Sequence, residues 1–510
     1  MNTIRHSLAL IGLLALFVAG CSKDEITTTT VSGSDTSSTI TTTDTISVVF
    51  STSGNATVSG ASSEQSVSIS GNGVTIVNSS SNAITYQLSG TTTDGYFKVY
   101  SGKKQQIALN GVSITNPSGA AINVQGTTSD PSSGKTVYLV LNGTNSIADG
   151  GSYSSSSGDE DEKATLFSEG VIVISGSGSL TVTAKGKSGI ASDDYINFVS
   201  GTVAVNSTAS TYVTNGDTTK VAGLKSNDGF IMNDGTLTVS CSGTGAKGIS
   251  SDGTATFNGG TVTVTVTGSN FGSSSGGNHG GPGGGQSSSN GVSAKGIKFD
   301  GDIVVNGGTV LVECSNDEGI ETKGTLTVNG GHVYSHASDD AINSASTLTI
   351  NGGYVCAHSS GNDGIDANGN CYIKGGVVYA IGASSPEVAI DANTEKEYKL
   401  YVQGGTIIAI GGLESGSSLT QSCYQASTWT ASTWYALTDG STTYAFKTPS
   451  SGGSDLVVSG ASTPTLTSGV SVSGGTSYFN GTMFVGASVS GGSPVSLSTY
   501  SGTGGGPGGH

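Results

Sequence analysis

The sequence has 510 residues and a formal net charge of -17, and Arg5 is its sole arginine, so nucleic-acid binding is not expected. Hydrophobic residues make up 34%, which is low for one large globular core, and charged residues make up 11%, which is too few for a typical disordered chain. Glycine contributes 82 residues, a composition that favours thin, repeated coils.

Residues 1–20 resemble a bacterial lipoprotein signal peptide. A basic start precedes the apolar run Leu8–Val18, which is too short to span a membrane as a mature helix. The run ends in Val-Ala-Gly-Cys, which is similar to a lipobox, so cleavage would leave Cys21 free for lipidation. Residues 21–45 are Ser/Thr-rich and predict a polar tether. We therefore expect a lipid-anchored protein of the outer membrane, exposed at the cell surface.

The region 46–412 repeats with a period near 23 residues. The second glycines are 23, 22, 23 and 29 residues apart in the Gly-Gly pairs at 307–308, 330–331, 352–353, 375–376 and 404–405, and alternating segments flank each pair. Alternation at a period of two predicts strands with one buried face, and the glycines permit the positive φ of a turn. A small residue followed by an aliphatic one also recurs and predicts an internal ladder. The aliphatic positions are Ile190, Leu224, Ile249, Ile297, Ile320, Ile342, Ile365 and Ile390.

These repeats predict an all-β protein, a right-handed, single-stranded parallel β-helix with β caps at both ends. Leucine-rich repeats share the period but not the leucine pattern, and propeller blades need about 40 residues. A Gly/Ser-rich insertion, 268–293, interrupts the stack. Residues 413–500 lose the period and predict a C-terminal cap, because an uncapped coil exposes a sheet edge. Residues 501–510 predict a disordered tail.

Acidic residues flank the small-aliphatic pair in three successive repeats, at 318/321, 340/343 and 363/366. Neighbouring coils lie about 4.8 Å apart, so like charges would repel by roughly 3–4 kcal/mol per pair. A cation between coils relieves this repulsion, and oxygen ligands favour Ca²⁺. Solvated turn acids are the alternative. The predicted metal ligands are Glu318, Glu321, Asp340, Asn343, Asp363, Asp366 and Asp391.

The strand after each glycine pair carries a predicted ligand surface. Tyr334 and Tyr379 share one outward column, and His336 and His358 share another with Glu313. Exposed tyrosines stack on sugar rings, which predicts polysaccharide binding here. Ordinary cross-strand stabilisation explains the same columns equally well, and a transition metal at the histidines is a weaker alternative.

Taken together, the block Ile107–Ile114, the acidic loop 159–162 and the later Asn-Asp-Gly-Ile repeats resemble a known family. These are the bacterial carbohydrate-binding β-helix proteins that look like pectate lyases and carry Ca²⁺. The resemblance covers roughly residues 45–500 and implies binding of cellulose or acidic pectic polysaccharides, with Ca²⁺ among the coil acids. Earlier coils depart from this pattern, because lysines such as Lys295 and Lys298 stand where acids are expected.

Three functions remain open. We expect a non-catalytic surface protein that binds polysaccharide. The main alternative is a Ca²⁺-dependent pectate lyase, in which Lys298, one coil from Glu321, would act as the base. The lack of arginine forks for substrate carboxylates disfavours it. A structural adhesin is the third possibility. The charge boundary between Lys298 and Glu321 is where we expect a ligand groove.

Overall fold

A computed structural model describes residues 39–126, 135–154, 160–272 and 291–502. The predicted signal peptide, the predicted lipidation site Cys21, and most of the tether, the Gly-rich insertion and the tail lie outside the described residues. Within the described ranges, the chain is all-β with long parallel sheets, as predicted. No helix in this part of the chain is long and apolar enough to cross a membrane.

Three parallel sheets run along the stack. In the later coils a glycine pair marks one turn of each coil. Sheet 1 contains the strands before this turn, and sheet 2 contains the strands after it. Sheet 3 contains the strands that carry the small-aliphatic pair. Sheet 1 contains Asp44–Phe50, Ile84–Thr92, Gln105–Asn110, Val137–Asn142, Ile172–Gly176, Tyr195–Phe198, Gly229–Met232, Thr254–Phe257, Ile303–Val305, Leu326–Val328, Leu348–Ile350, Cys371–Ile373, Leu400–Val402 and Ser418–Leu419.

Sheets 2 and 3 share the same coil-to-coil pairing. Sheet 2 contains Ser113–Asn116, Thr144–Asp149, Ser179–Ala184, Thr202–Ser207, Thr236–Cys241, Thr261–Val266, Thr309–Cys314, His332–Ala337, Tyr354–Ser359, Val377–Ile381 and Thr406–Ile410. Sheet 3 contains Asn72–Asn78, Gly95–Ser101, Ile122–Gln125, Ala164–Ser168, Ser188–Ser192, Ala222–Ser226, Lys247–Ser251, Ile297–Phe299, Ile320–Thr322, Ile342–Ser344 and Ile365–Ala367.

The predicted internal ladder is confirmed. Ile297 pairs with Ile320, which pairs with Ile342, and all of these side chains are buried. The valines that follow the glycine pairs, such as Val333 and Val355, form a second buried ladder in sheet 2. Burying each such side chain contributes about 1.5–3 kcal/mol, so the core is the sum of many similar layers.

The turn between sheets 1 and 2 combines a glycine with an asparagine ladder. The second glycine has a positive φ, +80° at Gly331, and a Cβ there would lie 2.7 Å from backbone atoms of the preceding coil. In six coils an asparagine stands at this turn, and each after the first donates its Nδ2 to the Oδ1 of the asparagine one coil earlier, at 2.8–2.9 Å. The ladder runs through Asn197, Asn233, Asn258, Asn306, Asn329 and Asn351. These bonds pair polar groups from one coil to the next.

Antiparallel strands lie at both ends of the stack. Thr57–Ser59 pairs with the first strand of sheet 1, and Gln65–Ser70 with the first parallel strand of sheet 3. At the other end, Leu456–Ser459 pairs with the last parallel strand of sheet 2 and with Cys423–Ala426, which also pairs with Ser498–Tyr500. A short hairpin is formed by Tyr212–Thr214 and Asp217–Thr219, and two 3₁₀ turns lie at Thr394–Lys396 and Phe479–Gly481.

A separate antiparallel sheet, the C-terminal sheet, follows the solenoid. Its strands are Trp434–Asp439, Thr442–Lys447, Thr465–Ser473, Thr476–Tyr478, Met483–Val485 and Ser488–Val495. It packs on the outer face of sheet 2, because Phe446 and Met483 share one buried cluster with Tyr379 and Ile408. The hydroxyl of Tyr379 donates to the backbone oxygen of Lys447 at 2.8 Å. The C-terminal residues therefore cover a side of the solenoid.

Candidate functional site

Lysines converge on sheet 3 around a cavity of about 210 Å³. Six lysines line this lysine pocket, together with Asp252, Asp300 and Glu321. The lysines are Lys220, Lys225, Lys247, Lys295, Lys298 and Lys323. The lining thus holds six lysines against three carboxyl groups, with Lys298 paired to Asp300, in a chain whose net charge is -17.

The β-helix register explains how these lysines come together. The residue after each aliphatic faces outward from sheet 3, and Lys225, Ser250, Lys298 and Glu321 are successive members of that column. Lys247 begins its strand of sheet 3, and Lys295 lies two residues before the next strand, where its carbonyl accepts from Gly248 N–H. The pocket therefore lies at the charge boundary that the sequence predicts as the site of a groove.

Burial changes the proton affinity of two of these lysines. Lys247 is 7% exposed; its burial and the neighbouring Lys220 and Lys295 lower its pKa to about 8. Burial also lowers the pKa of Lys225. Both shifts arise because a buried ammonium loses its hydration while other positive charges lie nearby.

Lys295 joins the pocket to the first predicted Ca²⁺ ligands. Its Nζ lies 2.7 Å from Glu318 Oε2 and 2.7 Å from Glu321 Oε2, and Lys323 also contacts Glu321. Burial acts to raise the pKa of Glu321, but the two lysines outweigh it and hold that pKa below its usual value. Both glutamates thus have counter-charge within the protein, so the repulsion argument for Ca²⁺ does not apply to them.

A nearby acidic trio has the same partner. Oxygens of Asp317, Glu318 and Asp339 lie within 4.8 Å of one another, close enough to share a cation. Lys295 Nζ is 3.4 Å from Asp317 and 2.7 Å from Glu318. The ammonium of Lys295 therefore supplies positive charge to this trio.

The remaining predicted metal ligands converge in the later coils, in a group that we call the acid cluster. Asn343 Nδ2 donates to Asp340 Oδ2 at 2.9 Å and to Asp366 Oδ2 at 2.8 Å. Asp363 N–H donates to Asp340 Oδ1 at 3.1 Å. The sequence therefore places Asp340, Asn343, Asp363 and Asp366 correctly as one group.

The acid cluster is partly to fully buried and rich in carboxyl groups. Burial raises the pKa of Asp340 and Asp363 well above the usual value, and repulsion from Asp366 adds to both shifts. Burial, a hydrogen bond with Glu414 and nearby carboxylates raise the pKa of Asp391 to about 10. Among the described residues, no ion pair to lysine or histidine reaches Asp340, Asp363 or Asp391.

Sequence reasoning missed Glu414 as a member of the acid cluster, although a signal was present. Leu413 pairs with Ile390 in the same ladder as Ile365. Leu413-Glu414 therefore repeats the aliphatic-acid pattern two coils after Ile365-Asp366 and one coil after Ile390-Asp391. The spacing from Ile390 is the ordinary 23 residues, and Gly412-Leu413 repeats the small-aliphatic landmark just past the predicted end of the repeat region.

The histidine column forms as predicted. His336 Nδ1 lies 2.9 Å from Glu313 Oε2, and the rings of His336 and His358 stack with centroids 4.4 Å apart. Burial, with His336 adding to the effect, lowers the pKa of His358 to about 4, so that ring is neutral at pH 7. Both histidines are half-buried, and their role in ligand binding stays a prediction.

The two predicted tyrosines differ in accessibility. Tyr334 is half-buried and lines a groove beside the C-terminal sheet. Tyr379 is 1% exposed, because the C-terminal sheet covers it. The prediction that Tyr379 is an exposed stacking platform is therefore wrong: it faces away from the solenoid core, but into a second core.

Comparison with known proteins bears on the region that contains the lysine pocket. The family described as carbohydrate-binding domain-containing protein matches residues 70–341, which include every pocket lysine. No curated protein matches the chain. A solved structure, the polysaccharide lyase-like protein from C. thermocellum as a gadolinium derivative, aligns over 66% of this chain and 94% of that chain, with 19% identity and a TM-score of 0.34.

Proposed function

The chain belongs to the carbohydrate-binding domain-containing protein family, and from this premise we propose that it binds an acidic polysaccharide in the lysine pocket. The observation that carries the proposal is the convergence of six lysines on one cavity of a strongly acidic protein. Lysine ammonium groups bind carboxylates by charge-assisted hydrogen bonds. Uronate sugars of the pectic type present such carboxylates at regular intervals.

The shape of the site supports a polymer as the ligand. The column Lys225, Ser250, Lys298 runs along sheet 3, and Lys247 lies on the same strand as Ser250, so each of these three coils carries a lysine. A chain of sugars lying parallel to the solenoid axis meets one coil after another. Many weak, repeated contacts of this kind give useful affinity without a deep pocket.

We assign Ca²⁺ to the acid cluster, where it would stabilise the later coils. Asp340, Asp363, Asp366 and Asp391 offer carboxylate oxygens, and Asn343 offers an amide oxygen, the donor types that Ca²⁺ prefers. Burial, with repulsion between the carboxylates adding to it, raises the pKa of Asp340, Asp363 and Asp391, and a divalent cation would offset both effects. Glu318 and Glu321 would keep their lysine partners.

We further propose the handedness of the solenoid, the role of its end strands and its attachment to the membrane. The solenoid is taken as right-handed, because parallel crossovers almost always are. The antiparallel strands at its ends and the C-terminal sheet act as caps that shield sheet edges. Lipidation of Cys21 anchors the protein to the outer membrane and displays it at the cell surface. Radiolabelled palmitate should enter the wild-type chain but not Cys21→Ala.

Binding to polygalacturonate tests the proposed function. The double variant Lys225→Ala/Lys298→Ala should bind about tenfold more weakly or worse, since a hydrogen bond to a charged group contributes about 1.5–3 kcal/mol. Lys399→Ala, which removes an exposed lysine outside the pocket, should bind like wild type. Equal binding by the double variant and wild type, or no binding by wild type, contradicts the proposal.

A pectate lyase is the second candidate, and Lys247 is the observation in its favour. With a pKa of about 8, roughly one Lys247 side chain in ten is a neutral amine at pH 7 and can accept a proton. In a lyase, that amine would take the proton next to the uronate carboxylate while the glycosidic C–O bond breaks. Lys247, more than Lys298, fits this role. Ultraviolet absorbance of unsaturated product, lost in Lys247→Ala, would establish the lyase.

A further inference from the structure

A groove separates the outer face of sheet 2 from the C-terminal sheet. It encloses about 360 Å³, within the range of small-ligand sites. Thr309, His332 and Tyr334 line it from the solenoid, and the segment from Ser477 to Gly481 lines it from the C-terminal sheet. The groove lies on a different sheet from the lysine pocket, and half of its lining lies outside the residues that match the family.

Aromatic rings cluster where the two sides of this groove meet. The rings of Tyr354 and Tyr478 stack with centroids 4.0 Å apart and an interplanar angle of 17°. The ring of His332 meets both edge-on, at 5.4 Å from Tyr354 and 4.9 Å from Tyr478. All three side chains remain half-exposed, so the cluster offers ring surface to a ligand.

The backbone beside these rings is held in an unusual conformation. Phe479 and Asn480 have φ of 53° and 54°, and Gly481 has φ of 82°. Residues with side chains rarely adopt this left-handed region, and such strain persists where the surrounding structure enforces it. Phe479 is buried in the cluster between the sheets, which fixes the segment in place. The side chain of Asn480 is thereby presented at the groove.

The groove is uncharged, in contrast to the lysine pocket. None of its described lining residues is acidic or a lysine. Burial lowers the pKa of His332, so its ring is neutral at pH 7. Beside it, Glu313 is a source of negative charge that helps raise the pKa of Tyr334 after the larger effect of burial. An anionic ligand is therefore disfavoured here.

We propose that this groove is a second glycan site, which binds a neutral pyranose chain. Sugar rings have apolar faces that pack on aromatic side chains and hydroxyls that need hydrogen-bond partners. His332, Tyr334 and Tyr478 provide the aromatic surface. Thr309, Ser477 and Asn480 provide the hydrogen-bond partners. The inference extends the proposed function, because it gives the protein one site for acidic and one for neutral polysaccharide.

Calorimetric titration of the full chain with cellohexaose, xylohexaose and mannohexaose tests the second site. At least one of these neutral oligosaccharides should bind, and Tyr478→Ala should weaken that binding about tenfold, since aromatic packing contributes about a kcal/mol or more. Asn480→Gly is the second variant: glycine suits the positive φ, so the fold is retained while the amide is lost. Tyr398→Ala, at an exposed tyrosine elsewhere, is the matched control and should bind normally.

The two glycan sites should respond independently. Lys225→Ala/Lys298→Ala should lose polygalacturonate and keep the neutral oligosaccharide, whereas Tyr478→Ala and Asn480→Gly should do the reverse. Failure of all three neutral sugars, or unchanged binding in both groove variants, overturns the second site and leaves the lysine pocket standing. Loss of neutral binding in the lysine variant also overturns it. Failure of polygalacturonate alone contradicts the lysine pocket instead.

Discussion

Without Ca²⁺, the free energy of unfolding of this protein should fall as the pH rises from about 5 to about 7. Burial and mutual repulsion raise the pKa of Asp340, Asp363 and Asp391 in the folded chain. In the unfolded chain an aspartate titrates near 3.9. At a pH between the unfolded-state pKa and the raised folded-state pKa values, the folded state holds protons that the unfolded state has released. Each further rise in pH therefore favours unfolding.

The size of this effect follows from the number of retained protons. One retained proton changes the free energy of unfolding by about 1.4 kcal/mol per pH unit. Asp391, with a folded pKa of about 10, spans the whole interval and by itself accounts for about 3 kcal/mol between pH 5 and pH 7. Because the carboxylates are coupled, we count one proton for the cluster as a lower bound. Bound Ca²⁺ should favour the ionised cluster and flatten this dependence.

Urea unfolding followed by far-ultraviolet circular dichroism, with chelator or with millimolar Ca²⁺, measures the effect. With chelator, the midpoint should fall between pH 5 and pH 7; with Ca²⁺ it should fall less. Asp391→Asn should reduce the dependence by about one proton, or about 3 kcal/mol over this interval, whereas the exposed Asp94→Asn should keep it. A midpoint in chelator that is equal or higher at pH 7, or curves that Ca²⁺ leaves unchanged, would refute the reasoning.

Three further predictions follow from packing and charge. Tyr379→Ala should lower the free energy of unfolding by about 3–5 kcal/mol, because it leaves a cavity in the core under the C-terminal sheet. Tyr379→Phe should lower it by only about 1 kcal/mol, because it loses one hydrogen bond. Chemical denaturation measures both changes. Gly331→Ala should lower the melting temperature far more than Asn329→Ala, since it adds a backbone clash at a positive φ while the asparagine loses one neutral hydrogen-bond rung. Raising salt from about 50 to about 500 mM should weaken polygalacturonate binding but leave neutral-sugar binding nearly unchanged, as titrations at both concentrations would reveal.

The two proposed glycan sites give the protein a specific architecture. The lysine pocket draws on sheet 3, and the aromatic groove draws on sheet 2 and the C-terminal sheet. Because they lie on different sheets, both can be occupied at once. A surface protein with this arrangement would hold acidic and neutral polysaccharides together. The acid cluster lies in the later coils that join the solenoid to the C-terminal residues, so Ca²⁺ would strengthen that region.

The sequence by itself determined the coil and its columns. Glycine pairs, period-two alternation and the small-aliphatic landmark are local signals, and a solenoid repeats the same local geometry at every coil. Once the repeats were aligned, residues at equal positions had to stack. This is why Glu321, Asn343 and Asp366 were correctly placed in one column, and why the charge boundary at Lys298 was found.

Only the tertiary structure decided what surrounds each column. The C-terminal sheet folds back on sheet 2 and buries Tyr379 through a partner 68 residues away, a contact that no repeat encodes. Lys295 reaches across to Glu318 and Glu321, because long side chains bridge columns that the alignment treats as separate. Periodicity specifies position along the stack. Burial, pKa and the identity of the neighbouring charge depend on the reach of side chains between columns and on segments that lie outside the repeat.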